Sequence, residues 1–160
     1  MQSSSFQDSL NAAYRYLSYR PRSEAEIRLF LRRRGFDDEL VKKTLIRLRE
    51  QELTDDVAFA KFWKDNRISF RPKSKRLIQK ELRDKKVSAD IVDQVTMDID
   101  DDAIAYKLGS DRMPSLGSLE FREFHRRLSG YLGYRGFSHE VVRRTVTRLW
   151  RELEREESLA

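Results

Sequence analysis

The sequence predicts an all-α fold of three tandem repeats, each of three helices, about nine helices in all, and three observations predict it. The first is internal repetition. Shifted by 101 residues, Leu31, Arg34, Gly35, Phe36, Glu39, Val41, Thr44, Arg47 and Leu48 meet identical residues at Leu132, Arg135, Gly136, Phe137, Glu140, Val142, Thr145, Arg148 and Leu149. Shifted by 51, Arg20-Pro21-Arg22-Ser23 meets Arg71-Pro72-Lys73-Ser74, Leu31 meets Leu82 and Val41 meets Val92. A period of this size marks an array in which each unit buries its apolar face against a neighbour. The second observation is helix punctuation. Asp37, Ser88 and Ser138 occupy one repeat position, each able to accept a backbone N–H as an N-cap. Phe36, Val87 and Phe137 just before them, with Val41, Val92 and Val142 four residues after them, have the spacing of a hydrophobic staple. Gly35 and Gly136 stand where the preceding helix must stop, because glycine takes the left-handed C′ conformation without a Cβ penalty. The third is composition. Three prolines and six glycines are too few for the many turns of an all-β chain. A charged fraction of 38% beside a hydrophobic fraction of 39% suits solvated helices with a narrow core stripe, in an extended shape.

The elements follow in order. Phe6, Leu10, Ala13, Tyr14 and Leu17 share a helical face, predicting a first helix from Phe6 to Tyr19, ended by Arg20-Pro21 because the residue before proline avoids the α region. Ser23 and Glu26 form a capping box for a second helix, whose inner edge is Ile27, Phe30, Leu31 and Arg34. Asp37 starts a third, with Leu40, Val41, Thr44, Leu45 and Leu48 inward. Thr54 is expected to cap the fourth, with Asp55 and Asp56 in the first turn at the positive end of the helix dipole. Phe59, Phe62 and Trp63 then form an apolar stripe. After the break at Phe70-Arg71-Pro72, Lys73 or Ser74 starts a fifth helix carrying Leu77, Ile78 and Leu82. Ser88 starts the sixth, with Ile91, Val92 and Val95. Ala103, Ile104, Tyr106 and Leu108 predict a short seventh helix, and Gly109–Ser118, with Pro114 and Gly117, is expected to be the longest loop. The eighth helix carries Phe121, Phe124, Leu128, Tyr131 and Leu132; the ninth carries Val141, Val142, Val146, Leu149, Trp150 and Leu153. Repeat boundaries are placed at 1–53, 54–99 and 100–157.

Charge is blocked along the chain. Residues 61–86 hold eleven Lys or Arg against Asp65, Glu81 and Asp84; residues 87–111 hold seven Asp against Lys107. Basic character returns over 112–151, and the whole chain has a formal charge of +6. In an array such blocks become separate patches. Arg67, Arg71, Lys73, Lys75, Arg76, Lys80 and Arg83 form the strongest candidate surface for phosphates, since such contacts need only cationic reach and release condensed counterions. Arg32 and Arg33 in the first repeat, and Arg126, Arg127, Arg143 and Arg144 in the third, are candidates to extend it. The bland alternative for each is a solvated cation paired with a nearby acid. The acidic run Asp98–Asp102 either caps a helix, keeps DNA from one side, or meets a basic protein. Phe59, Phe62, Trp63, Tyr131 and Trp150 have core spacing. Tyr16, Tyr19 and Phe70 fall off that register or in breaks, where stacking on a single strand is the alternative to packing.

Cysteine is absent, which excludes disulfides and thiolate metal sites and fits a reducing cytoplasm. The start, MQSSSFQDSL, lacks the basic and apolar regions of a signal peptide, and no apolar stretch suffices to span a bilayer. His125 and His139 have neither zinc spacing nor a patterned carboxylate partner. No glycine-rich phosphate loop is present. The expectation is a monomeric cytoplasmic protein without catalytic residues, cofactor or membrane contact.

The elements YLSYRPRSEAEIRLFLRRRGF, ELTDDVAFA, RLIQKELRDKKVSADIV and GYLGYRGFSHEVV, in this order, resemble the RecX family of bacterial recombination regulators. The resemblance runs from about Tyr14 to Leu153. It implies tandem three-helix repeats in an elongated, curved array that binds RecA and its DNA filament, lies in the filament groove and inhibits ATP hydrolysis, strand exchange and the linked SOS response. It also implies single-stranded and double-stranded DNA as partners. The middle repeat departs from the pattern at Lys86, where the family has glycine, and at Lys73-Ser74, where a glycine is common. Both changes add positive charge and are expected to blunt the turn. Two other functions compete with filament regulation: a general basic DNA-binding module, and an adaptor that binds only proteins. Against the former, the best basic stretch has no recognition helix opening on Asn or Gln for base-edge contacts.

Overall fold

The structure, a computed structural model, describes residues 5–160; Met1–Ser4, where the signal-peptide reading begins, lie outside it. Among the described residues there are nine α-helices and no strand. They are α1 (Phe6–Leu17), α2 (Glu24–Arg33), α3 (Asp38–Glu50), α4 (Asp56–Phe70), α5 (Lys75–Asp84), α6 (Ala89–Thr96), α7 (Asp101–Leu116), α8 (Phe121–Tyr134) and α9 (His139–Leu159).

Local chemistry sets most helix ends. Ser23 accepts from the Glu26 N–H at 3.1 Å while the Glu26 carboxylate accepts from the Ser23 N–H at 3.2 Å, a reciprocal capping box. The Asp37 carboxylate and Ser138 hydroxyl accept from Leu40 and Val141. Gly35 and Gly136 both have φ of +91°, and each following residue closes the helix end: Phe36 donates to Leu31 O, and Phe137 to Leu132 O.

The turn expected to be blunted at Lys86 is not. Lys86 takes φ of +61°, its N–H donates to Arg83 O at 2.9 Å, and Val87 donates to Leu82 O at 3.1 Å. The middle repeat therefore makes the same left-handed stop with a Cβ present, at a cost of about 1–2 kcal/mol. Lys86→Gly is accordingly expected to stabilise the chain by about 1 kcal/mol, read as a higher urea midpoint with an unchanged slope.

Other expectations are corrected. Thr54 does not cap α4. The carboxylate of Asp55 accepts from Val57 at 2.9 Å and Ala58 at 3.2 Å, because the helix begins one residue later than expected and places Asp55 at the capping position. Thr54 is buried, with no hydrogen bond to its hydroxyl among the described residues. Arg34 is exposed instead of inward, its guanidinium 5.5 Å from the Phe30 ring centroid. The first helix stops at Leu17, and Ser18 supplies its C-cap.

The largest correction is α7. The segment expected to be a loop continues the helix to Leu116. Gly109 is buried there, and a Cβ on it would stand 2.4 Å from Leu149 Cδ1 and 3.6 Å from Leu128 Cδ1. The glycine is thus a point of close helix packing against α8 and α9, not a turn. Pro114 lies exposed in the last turn, where its missing N–H removes one hydrogen bond. Burial of Leu108 and Leu116 in the core keeps the helix intact around it.

The described helices form two compact units, one running through Asp65 and including Glu81–Val95, the other Asn66–Lys80 with Thr96–Ala160. In the first unit Leu10, Ala13, Ile27, Leu31, Val41, Leu45 and Leu48 of α1–α3 form the core. In the second, α7–α9 close over Ala105, Leu108, Phe124, Leu128, Leu132, Val142, Val146 and Leu149.

Candidate nucleic-acid interface

Each unit contains a joint in which the start of a repeat's middle helix rests on the following repeat. In the first, the Ser23 hydroxyl donates to Lys85 O at 3.0 Å, and the Glu24 N–H donates to the Asp56 carboxylate at 3.1 Å. In the second, the Ser74 N–H donates to Arg135 O at 3.0 Å, and the Lys75 N–H donates to the Asp101 carboxylate at 2.8 Å. Ser23 and Ser74 are fully buried. The first acids of α4 and α7 thereby satisfy orphan N–H groups of α2 and α5, which lie far back in sequence.

Ion pairs lock the first joint. Glu26 meets Arg20 at 2.9 Å and Lys85 at 2.7 Å, and both cations also lie against the Trp63 ring. Burial raises the Glu26 pKa, but hydrogen bonds from Arg20 and Lys85 outweigh it and leave the carboxyl below its ordinary value. Asp56 is shifted upward because burial outweighs the single Glu24 N–H. In the second joint the Arg135 guanidinium donates to Pro72 O at 2.9 Å and lies 5.2 Å from the Tyr131 ring centroid.

The acidic run has structural tasks. Asp100 caps α7 by accepting from Ala103, Asp101 serves the joint, and Asp102 takes both arms of Arg144 at 3.0 and 3.1 Å.

The candidate cations divide by their surroundings. Arg32 pairs with Asp38 at 3.0 Å. Arg126 and Arg127 share the Glu123 carboxylate at 2.5 and 2.8 Å, and their hydrogen bonds lower its pKa to about 2. Arg144 is held by Asp102 and, at 3.8 Å, by Glu140. These four spend part of their charge on neighbours, although all remain exposed. Arg67, Lys73 and Lys80 also have interactions within the chain. By contrast, Arg33, Arg71, Lys75, Arg76, Arg83 and Arg143 make no side-chain ion pair among the described residues. Arg76, Lys80 and Arg83 recur at i, i+4 and i+7, so α5 presents them on one exposed face.

One basic feature escaped the sequence reading. Arg144, Arg148, Arg151 and Arg155 follow i, i+4, i+7 and i+11 along α9 and line one surface groove with Arg143. Net charge by segment hid them, because Glu152, Glu154, Glu156 and Glu157 cancel the sum; of these Glu152 lines the same groove and pairs with Arg148 at 3.3 Å. Helical periodicity of arginine alone would have found them.

The aromatics also divide. Phe59 and Phe124 are buried, and Trp63 donates its indole N–H to Glu81 at 2.7 Å. Tyr16 is packed, stacked on Phe30 at 4.0 Å with Arg22 on its ring at 3.9 Å. Tyr19, Phe70 and Tyr134 are 78%, 77% and 84% exposed. Among the described residues no group of three His, Cys, Asp or Glu stands together to hold a metal, and no helix is long and apolar enough to cross a membrane.

Fold and surface together define a class: tandem three-helix repeat proteins with basic helix faces. Family models match the chain over all three repeats, as "RecX, first three-helix domain" over residues 10–48, "RecX, second three-helix domain" over 55–95 and "RecX, third three-helix domain" over 100–146. The chain belongs to the RecX family. It is 35% identical to "Regulatory protein RecX" of Prosthecochloris aestuarii, over 93% of this chain and 98% of that one. It is 33% identical to the protein of the same name from Chlorobium limicola, over 86% and 87%. The crystal structure of RecX from Lactobacillus salivarius superposes with a TM-score of 0.76 at 19% identity, covering 90% of this chain and 96% of that one. A second crystal structure of regulatory protein RecX gives 0.69 at 26% identity, covering 88% and 72%.

Proposed function

We propose that this chain is a regulator that binds the RecA–DNA filament and restrains RecA's ATP hydrolysis and strand exchange, with its basic helix faces approaching DNA phosphates. Membership of the RecX family supports the RecA half. The observation that carries the DNA half is the set of exposed cations at Arg71, Arg76 and Arg83, which no carboxylate of the described chain neutralises. Cations without internal partners are available to displace counterions from phosphates. The paired arginines, Arg32, Arg126, Arg127 and Arg144, are secondary contacts that must exchange one carboxylate for a phosphate. Several repeats holding one fibre gain from effective concentration.

The test is RecA-dependent ATP hydrolysis on single-stranded DNA with increasing amounts of this protein. Inhibition far below the amount that coats free DNA supports the filament reading. Inhibition only at coating levels favours a general DNA-binding module, and no effect leaves a protein adaptor. In the same assay Arg71→Glu with Arg76→Glu is expected to weaken binding to DNA or filament by about tenfold or more at low salt and to flatten the salt slope by about two. Helical content should not change, since both side chains are exposed. An unaltered slope would remove these residues from the interface.

A further inference from the structure

The second joint presents two large rings to solvent. Phe70 ends α4 and Tyr134 ends α8, and both are more than three-quarters exposed. They border adjacent hollows that share one residue, Arg135. Phe70 lines the first with Pro72, Tyr131 and Arg135. Tyr134 lines the second with Arg71, Leu77 and Arg135. Rings of this size are normally worth burying, so two of them exposed and flanking one arginine are not explained by folding.

The platform is rigid. Tyr134 and Arg135 immediately precede Gly136, whose backbone lies so close to α5 that a Cβ would stand 2.4 Å from Leu77 Cγ. Arg135 bonds to Pro72 through its guanidinium, and its carbonyl accepts from Ser74. The segments bearing the two rings are therefore tied together by two hydrogen bonds and a close packing contact. Backbone segments held in place before binding have less entropy left to lose when a partner arrives.

The surrounding charge selects the partner. Arg71 is exposed without an ion pair among the described residues, and Arg135 faces both hollows. Asp111 and Lys107, one acid and one base on α7, also line the first hollow and leave its net charge to Arg135. The repeat itself supplies a comparison. Tyr19 matches Phe70 in the first joint, but the residue there corresponding to Tyr134 is Asp84, an acid that repels phosphate. Only the second joint pairs two exposed rings with cations. A planar, unpaired π-face carrying negative charge fits such a surface, and bases already stacked in a duplex do not.

We propose that Phe70 and Tyr134 form a base-stacking platform for single-stranded nucleic acid, with Arg71 and Arg135 holding the adjoining phosphates. The proposal deepens the nucleic-acid half of the function above and is independent of RecA. It is tested with the full chain and three labelled probes: a thymidine homopolymer, an abasic strand of the same length, and a duplex. Wild type is expected to bind the homopolymer about tenfold or more tighter than the abasic strand. Phe70→Ala with Tyr134→Ala should lose that factor on the homopolymer alone, with the abasic strand, the duplex and the salt slope unchanged. Phe70→Tyr with Tyr134→Phe, which keeps both π-faces, should retain it.

Equal wild-type affinity for homopolymer and abasic strand overturns the platform, as does equal loss on duplex. Unchanged oligonucleotide binding with weakened binding to DNA-free RecA makes the surface a protein contact and also overturns it. Absence of wild-type binding to all three probes overturns both the platform and the phosphate surface.

Discussion

Gly136→Ala is expected to destabilise the chain by about 3 kcal/mol, and Gly35→Ala by only about 1–2 kcal/mol. The two glycines have the same φ of +91°, so the left-handed penalty is common to both. They differ in what a side chain would meet. Nothing lies within 4 Å of a Cβ at Gly35, whereas one at Gly136 would stand 2.4 and 2.5 Å from Leu77 Cγ and Cδ1, and 2.6 Å from Ser74 Oγ. Ser74 is buried and cannot yield, because its hydroxyl caps α5 by accepting from Leu77. Urea unfolding of the two variants measures the difference directly. Equal shifts in midpoint would mean that α5 is not packed on this turn, and the rigid setting of Tyr134 and Arg135 would go with it.

Replacing Glu26 with glutamine should cost about 2 kcal/mol at neutral pH. That is below the 3–5 kcal/mol of a fully buried broken pair, because Arg20 and Lys85 keep some contact with water. Glutamine can still accept from the Ser23 N–H, so the loss isolates charge from capping. Removing the carboxylate leaves Arg20 and Lys85 facing each other over Trp63. The pH dependence has a definite sign. The folded-state pKa of Glu26 is lowered, so its contribution is complete above the ordinary carboxylate pKa and fades as pH falls through the lowered value. The gap between wild type and Glu26→Gln should therefore close on acidification. Asp56, whose pKa is raised, works in the opposite sense, adding stability that is present at low pH and lost as it ionises. It is common to both proteins and cancels in the difference. No gap at neutral pH would show that Glu26 acts only as a cap, and a gap that stays constant down to pH 2–3 would show that the loss does not come from the carboxylate's charge.

The helix ends were legible because their causes are local. A capping hydroxyl or carboxylate reaches an N–H two or three residues away, so Ser23, Asp37 and Ser138 could be placed from spacing alone. The Thr54 expectation failed within that same local logic, by one residue, because Asp55 beside it caps as well. Lys86 shows the opposite limit. Its identity argues against a left-handed turn, yet the hydrogen bonds of Lys86 and Val87 close the same stop as in the glycine-bearing repeats. Gly109 and Pro114 misled because local propensity favours a break, whereas α8 and α9 supply the burial that keeps α7 helical.

The candidate surface was legible as charge and not as chemistry. Spacing could count the cations of residues 61–86, but only folding shows that Arg144 meets Asp102, 42 residues away, while Arg71 meets no acid among the described residues. Likewise Phe70 and Tyr134 stand 64 positions apart; their grouping around Arg135 is a property of the joint.

By itself the sequence determined the staples and most helix ends, since each depends on residues within about a turn of one another, and the all-α threefold repeat, which shows as identities at fixed shifts along the chain. Tertiary structure decided where α7 ends, which acids of the Asp98–Asp102 run serve which helix, which arginines keep their charge for a partner, and which rings face water. Those outcomes depend on groups brought together from distant positions, and desolvation and pairing have no value until the chain has folded around them.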